Sequence, residues 1–255
     1  MRHANRHRQG GFTLVELSVV LVIVGLLLGA VFAGQELIKN AQATRLKNQV
    51  KNIESMAQNF RDQRERYPGD CDNNGFFDTQ ILDLGNPNTR AKRANYLAVD
   101  SDSDLDSGDF CPDNPGDEGV EGDTALDGDP GANLFYNDLK EAGFINETSV
   151  NRDVAEHTDD DYIFAGRVVV GGNLTSYNAI VVAGVSRFLA RAMDESIDGN
   201  ADDPLGGRVR WMSEGGVVAS EAADGWAQDA KSPDDKVHVA YFFEDVPPES
   251  NLDGG

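Results

Sequence analysis

Three groups of side chains in this sequence have types and spacings that do chemistry. The first is a lone carboxylate, Glu16, inside the apolar run "LVELSVVLVIVGLLLGAVFAG" (14–34). An unpaired carboxylate in hydrocarbon costs about 2.5–3.5 kcal/mol on insertion scales, so an acid there implies a partner and a task. The second is "DCDNNGFFD" (70–78), where Asp70, Asp72 and Asn74 alternate, Gly75 follows and Asp78 closes the set. Alternating oxygens that converge on a cation, with a glycine for the sharp turn, are the first part of an EF-hand-like loop, so calcium is the expected ion. The match fails at the twelfth position, where Ile81 replaces the bidentate glutamate. A second set, Asp102, Asp104, Asp106 and Asp109, has its glycine one place late. The third group is the cysteine pair, Cys71 and Cys111, which is too small for a zinc site.

Composition bounds these readings. The 255 residues carry 44 acidic and 22 basic side chains, a formal net charge of −22. Such a surface repels phosphates, so nucleic acid is not bound through a basic face, and divalent cations are favoured partners. From 100 to 129 there are twelve acidic residues and no basic one. A solvated, mobile insert accounts for that stretch as well as a cation site does. The two cysteines read as one disulfide if the chain is exported and as two thiols if it is cytosolic. The sequence contains no Gly-x-Ser-x-Gly, HExxH, P-loop or Gly-x-Gly-x-x-Gly, and no enzyme is expected. His238 alternates within a strand pattern and reads as a packing or surface residue; His157, before "TDDDY", could contribute to a cation site.

The elements that must position these groups begin with "MRHANRHRQGG", three arginines and two histidines without an acid. Nineteen uncharged residues then separate Glu16 from Glu36, close to the ~20 that span a bilayer. A secretory signal peptide would be shorter and end in a small-x-small cleavage site. A simple signal anchor explains the positive end but neither Glu16 nor the glycine pair. The order "GGFTLVELSVVLVIVGLL" resembles the prepilin-type N-terminus of type IV pilins and type II secretion pseudopilins. The resemblance implies cleavage by prepilin peptidase between Gly11 and Phe12, N-methylation of Phe12, and a filament role for Glu16 opposite the amine of a neighbouring subunit. One departure stands out: the family often carries a proline along the apolar run, where this chain has Gly25, Gly29 and Gly34.

Past the apolar run, Leu46, Val50, Ile53, Ala57 and Phe60 recur at steps of three and four, the stripe of a helix that packs one face. Pro68 and Gly69 stop it, so residues 12–66 predict one helix of roughly 55 residues, ~80 Å long. "RYPGDCDNNGFFD", "LFYNDLKEAGFI" (134–145) and "DESIDGNADDPLGGRVR" resemble further elements of a subset of prepilin-like proteins. With the domain exported, Cys71 and Cys111 are expected to pair, which is worth roughly 4 kcal/mol in the chain-entropy model.

Strand candidates follow at 162–170, 177–185, 208–212 with 217–219, and 237–245, and a short helix at 186–197 has Ser186 as its N-cap. The expected fold is therefore α+β and pilin-like. A long N-terminal helix packs on a mostly antiparallel sheet, with a long acidic loop inserted between them. The expected organisation is a prepilin leader (1–11), a transmembrane or filament-core helix (12–35) and its amphipathic half (36–66). An acidic, disulfide-bracketed loop region (67–133), short helices and antiparallel sheet (134–246) and a tail (247–255) complete it. The expected function is a subunit of a type IV pilus or pilus-like filament, held in the inner membrane with its C-terminal domain periplasmic before it joins the pilus. Its expected partners are prepilin peptidase, other pilin subunits in a homo- or hetero-filament, the inner-membrane assembly machinery and membrane lipid. A type II secretion pseudopilin is the alternative within the class. A membrane-anchored calcium-binding surface module that never polymerises is the alternative outside it.

Overall fold

The computed structural model describes residues 13–81, 131–170, 175–200, 205–213, 216–218 and 232–247. Contacts divide the chain into two units, Met1–Ala41 and Gln42–Gly255. The helix α1, Leu14–Arg64, has residues in both. In the first unit its large apolar side chains, from Leu14 through Ile38, are exposed. This part is long and apolar enough to cross a membrane. Nothing approaches Gly25, Gly29 or Gly34 within 4 Å of where a Cβ would stand. No contact within a single chain therefore requires glycine at these three positions.

In the second unit α1 turns one face inward. Ala43, Leu46, Val50, Ile53, Ala57 and Phe60 are buried, at the steps the sequence predicts, and join the strands in one apolar core. The helix then stops in a turn, with the Asp70 N–H donating to the Tyr67 carbonyl at 3.2 Å. Gly69 in that turn has φ +73°, and a Cβ there would stand 3.2 Å from the Phe135 nitrogen, so glycine is required twice over.

Five strands follow: β1 Ile163–Val170, β2 Thr175–Ser186, β3 Val209–Met212, β4 Val217–Val218 and β5 Lys236–Tyr241. Their order is β1-β2-β5-β3-β4, with antiparallel neighbours throughout. The two-residue β4 also lies parallel to β1, through Val169–Val217 and Val170–Val218, and closes the sheet. The α+β arrangement is thus the expected one, with two differences in the strands. The single candidate 208–212 with 217–219 is two strands, and β5 inserts between β2 and β3. The burial pattern gives the reason: Val237 to Tyr241 are buried without a break, as befits a strand paired on both edges and covered on both faces. The fourth candidate also ends early, at Tyr241, although the Phe242 N–H still donates to the Arg208 carbonyl in register with the β3–β5 pairing.

Three further helices cover the sheet or its ends: α2 Gly131–Glu141, α3 Asn151–Ala155 and α4 Arg187–Asp198. Of these, α2 contacts β1, and α4 contacts β2, β3 and β5. The sequence predicts 134–145 for α2, but Gly143 (φ +77°) ends it early, and the Phe144 N–H returns to the Leu139 carbonyl. Ser186 stands at the N-cap of α4 as expected, yet its side chain makes no cap bond. The first N–H groups are met instead by Asp159 Oδ2 (2.5 Å from Ser186 N) and by the carbonyls of Asp235 and Pro233.

Polar ties fasten these layers. The Tyr241 hydroxyl donates to Glu54 Oε2 at 2.9 Å, and Lys51 donates to both, joining α1 to β5. Two buried histidines flank the irregularity in β2 where its register with β5 shifts between Val182 and Val185. His238 Nδ1 accepts the Gly184 N–H at 3.0 Å, and His157 Nε2 lies 2.7 Å from the Ala183 carbonyl. His157 Nδ1 accepts the Asp159 N–H, so Nε2 carries the proton and the ring is neutral. Among the described residues both histidines bond backbone groups at the β2 irregularity and are packing residues.

Two predictions follow from this packing. At Gly166 a Cβ would stand 2.5 Å from Ile81 Cγ1 and 2.9 Å from the Thr79 carbonyl. Gly166→Ala is expected to cost about 1–3 kcal/mol, read from the denaturant midpoint. Burial lowers the His157 pKa, so below about pH 6.5 the unfolded chain takes up a proton that the folded one refuses. Stability is expected to fall as pH drops below that value, and His157→Gln should flatten the slope of thermal midpoint against pH.

Candidate functional sites at the helix start and in the acidic loop

Glu16 sits in the first turn of α1, where the helix leaves its N–H groups without internal partners. Thr13 answers it from the residue before the helix. The Thr13 N–H and its hydroxyl each lie 2.9 Å from Glu16 Oε2, and the Glu16 N–H donates to Thr13 Oγ1 at 3.3 Å. This is a capping box, Thr-x-x-Glu, in which the two side chains satisfy each other's backbone. The carboxylate is thereby held against the first turn of α1, at the positive end of the helix dipole. The pattern "TLVE" spells the box in the sequence, and Thr13 is the functional residue that reasoning about charge alone passes over. Gly11 and Phe12 lie outside the described residues.

The acidic loop leaves the turn at Gly69 and wraps its first carboxylate. The N–H groups of Asn74 and Gly75 donate to the two oxygens of Asp70, at 3.0 and 2.9 Å. Asn73 (φ +54°) and Gly75 (φ +87°) give the reversal this needs. Asp78 Oδ2 accepts the Cys71 N–H at 2.7 Å. The result is that one oxygen from each of Asp70, Asp72 and Asp78 falls within 4.8 Å of the others. Asn74, the fourth expected ligand, has its side chain engaged: its amide donates to Asp72 Oδ2, and its oxygen accepts the Phe76 N–H. Burial pushes the Asp70 carboxyl up to about 6, and the charge of Asp78 adds to it. Burial raises Asp78 as well, and the charge of Asp72 adds to it. Three carboxylates at this spacing repel one another, and a hard divalent cation relieves that repulsion.

The missing twelfth ligand has a structural cause. Ile81 is buried, and its backbone pairs with Arg167 (Ile81 N–H to the Arg167 carbonyl, 2.9 Å; Arg167 N–H to the Thr79 carbonyl, 2.7 Å). The exit of the loop is therefore a short addition to β1 and leaves the vicinity of the carboxylates. On the other side, Asn178 of β2 fixes the loop, accepting the Phe77 N–H at 2.9 Å and donating to the Gly75 carbonyl at 2.8 Å. An open pocket of about 740 Å³ adjoins it, lined by Arg61, Tyr67, Asn73, Phe76, Tyr177 and Glu244 among others. Arg61 is committed there to the Tyr67 hydroxyl and Glu244.

Cys71 is buried and is not a free thiol, while Cys111 lies outside the described residues. So do Asp102, Asp104, Asp106 and Asp109.

Residues 6–32 match the family model described as the prokaryotic N-terminal methylation motif. No curated protein and no solved structure is similar enough to this chain to count as a match. The matched stretch contains Gly11, Phe12 and the Thr13–Glu16 box, and continues into the exposed apolar helix. Such a motif implies processing by prepilin peptidase and assembly with other pilin subunits. Over residues 6–32 the chain carries the N-terminal methylation motif, which is consistent with the type IV pilin and pseudopilin family.

Proposed function

We propose that this chain is a structural subunit of a type IV pilus or pilus-like filament, cleaved between Gly11 and Phe12 and N-methylated at Phe12. One observation supports the reading above the rest. The matched N-terminal segment continues into a helix whose side chains from Leu14 to Ile38 bury nothing within the single chain. Such a surface in water is an interface or a membrane span. Before assembly it crosses the inner membrane, with its arginine-rich start inside and the C-terminal domain in the periplasm. Lipid and the inner-membrane assembly machinery are its partners there. Cleavage creates an ammonium group at Phe12, next to Thr13, and Glu16 supplies the counter-charge to the amine of a neighbouring subunit. The Thr13 hydroxyl and N–H shield Glu16 until that amine arrives. The length of the chain and its acidic insert favour a specialised pilus subunit over a type II secretion pseudopilin.

The acidic loop is proposed to bind calcium through Asp70, Asp72 and Asp78. The support is their convergence within 4.8 Å and the loop's construction around Asp70. The Cys71–Cys111 disulfide is proposed with it, because it would tether the far end of the insert to the start of this loop.

Three measurements test these readings. Mass spectrometry of the native protein is expected to find a mature chain that begins with methylated Phe12; an intact leader would favour the non-polymerising anchored module. Glu16→Gln is expected to insert and to be cleaved as the wild type is, yet to lose filaments, and normal filaments in that variant would remove the charge-pairing role. For the loop, calcium added to the chelated protein is expected to raise the thermal midpoint by mass action. Asp70→Asn should abolish the rise, and an equal rise in that variant would remove Asp70 from the site.

A further inference from the structure

The acidic loop contains the one Asn-Gly step in the sequence, Asn74-Gly75. An asparagine before glycine is chemically labile, because the glycine nitrogen can attack the asparagine side-chain carbonyl and no Cβ stands in its way. Regular structure and burial suppress this reaction by tying the peptide nitrogen into a ladder and excluding water. Neither restraint applies to this step. Asn74 and Gly75 are both exposed, and neither lies in a helix or a strand.

The contacts around the reacting atoms are specific. Asn74 Oδ1 accepts the Phe76 N–H at 2.8 Å, a turn that bends the carboxamide back over the Gly75 peptide. This oxygen is the one that gains negative charge when a nitrogen adds to Cγ, so the Phe76 N–H is an oxyanion donor already in place. The Gly75 N–H donates to Asp70 Oδ2 at 2.9 Å, and the Gly75 carbonyl accepts from Asn178 Nδ2 at 2.8 Å. The attacking residue is thus held by both of its backbone polar groups. Asn74 Nδ2, the leaving nitrogen, donates to Asp72 Oδ2 at 2.7 Å.

We propose that Asn74 deamidates in the folded chain, through a succinimide closed with the Gly75 nitrogen, and that the product adds a fourth carboxylate to the acidic loop. The Gly75 nitrogen gives its proton to hydroxide and bonds Asn74 Cγ. The Cγ–Nδ2 bond breaks, and Nδ2 takes a proton from water and leaves as ammonia. Water then opens the imide, and nothing is oxidised or reduced. Opening at Cγ leaves an aspartate, and opening at the Asn74 main-chain carbonyl leaves an isoaspartyl linkage. Either product replaces the amide that donates to Asp72 with an anionic group, beside three carboxylates that already lie within 4.8 Å of one another. Repulsion in the loop then rises without a cation, and the set of anionic ligands grows with one. This consequence rests on the calcium reading of the loop; the deamidation does not.

The test uses the full-length chain, purified in detergent, incubated at neutral and at alkaline pH, and digested for mass spectrometry. Asn73, the neighbour whose following residue carries a Cβ, is the internal control. Asn74 is expected to convert from amide to acid about tenfold faster than Asn73, and faster as pH rises. Isoaspartate at 74 is expected to show as methyl uptake by an isoaspartyl methyltransferase, and Asn74→Gln, whose larger imide ring closes slowly, should lose that uptake. An unchanged amide at 74 in the folded chain would overturn the proposal; conversion of the same chain in urea would then show that the loop guards the step. Equal rates at 73 and 74 would overturn it as well. For the consequence, calcium chloride is expected to raise the thermal midpoint of Asn74→Asp more than that of the wild type. An equal rise would remove the fourth carboxylate from the site. No rise in either chain would remove the calcium reading, while the masses at 74 still decide the deamidation.

Discussion

The burial of one helical stripe, Ala43 to Phe60, is the interaction on which the described domain depends. An isolated helix in water gains little from its own hydrogen bonds, and tertiary packing of an apolar face supplies most of its stability. Here that face enters the same core as the inward side chains of β1, β2 and β5. The polar link through Lys51, Glu54 and Tyr241 then fixes where along the helix the sheet sits. The candidate cation site inherits its position from this packing. The helix stops at Arg64, the turn at Gly69 follows within a few residues, and Asp70 begins the loop that Asn178 of β2 holds from the other side.

The first part of α1 lives under the opposite constraint. Its backbone is satisfied internally, as any helix allows, but its large apolar side chains from Leu14 to Ile38 are exposed. Such a segment is comfortable in lipid and, by the same token, against identical helices. Within 14–34 only Glu16 is charged, and the structure shows what lies against it. Two donors from Thr13 and the positive end of the helix dipole lie against the carboxylate, so the charge is compensated locally before any neighbour arrives. A carboxylate held in this way is a poised group. It is tied to Thr13 by hydrogen bonds from neutral donors.

The features legible in the sequence were those set by periodicity or by a covalent rule. The stripe Leu46, Val50, Ile53, Ala57 and Phe60 is buried residue for residue, because steps of three and four admit one geometry. The stop at Pro68 and Gly69 follows from what those residues can adopt. What escaped was set by long-range pairing. The insertion of β5 between β2 and β3, and the closure of the sheet by β4, depend on which edges meet in space, which spacing along the chain does not encode. The same holds for α4, whose expected serine cap gives way to Asp159 and the 233–235 segment. At the candidate sites, the alternation of Asp70 and Asp72 and the carboxylate of Asp78 were readable. The spending of Asn74 on Asp72 and Phe76, and of the Ile81 backbone on Arg167, was not.

The distribution of charge joins these parts. Residues 13–66 carry seven basic and five acidic side chains, so the long helix is close to neutral in a chain whose net charge is −22. Nearly all the surplus acid lies beyond it. Coulomb repulsion between like surfaces is avoided only where the charge is absent or neutralised. The apolar stretch 14–34 of α1 has almost no charge, whereas Asp70, Asp72 and Asp78 gather theirs within 4.8 Å of one another. Glu16 is the one acid on the apolar stretch 14–34, and within the chain it is met by Thr13.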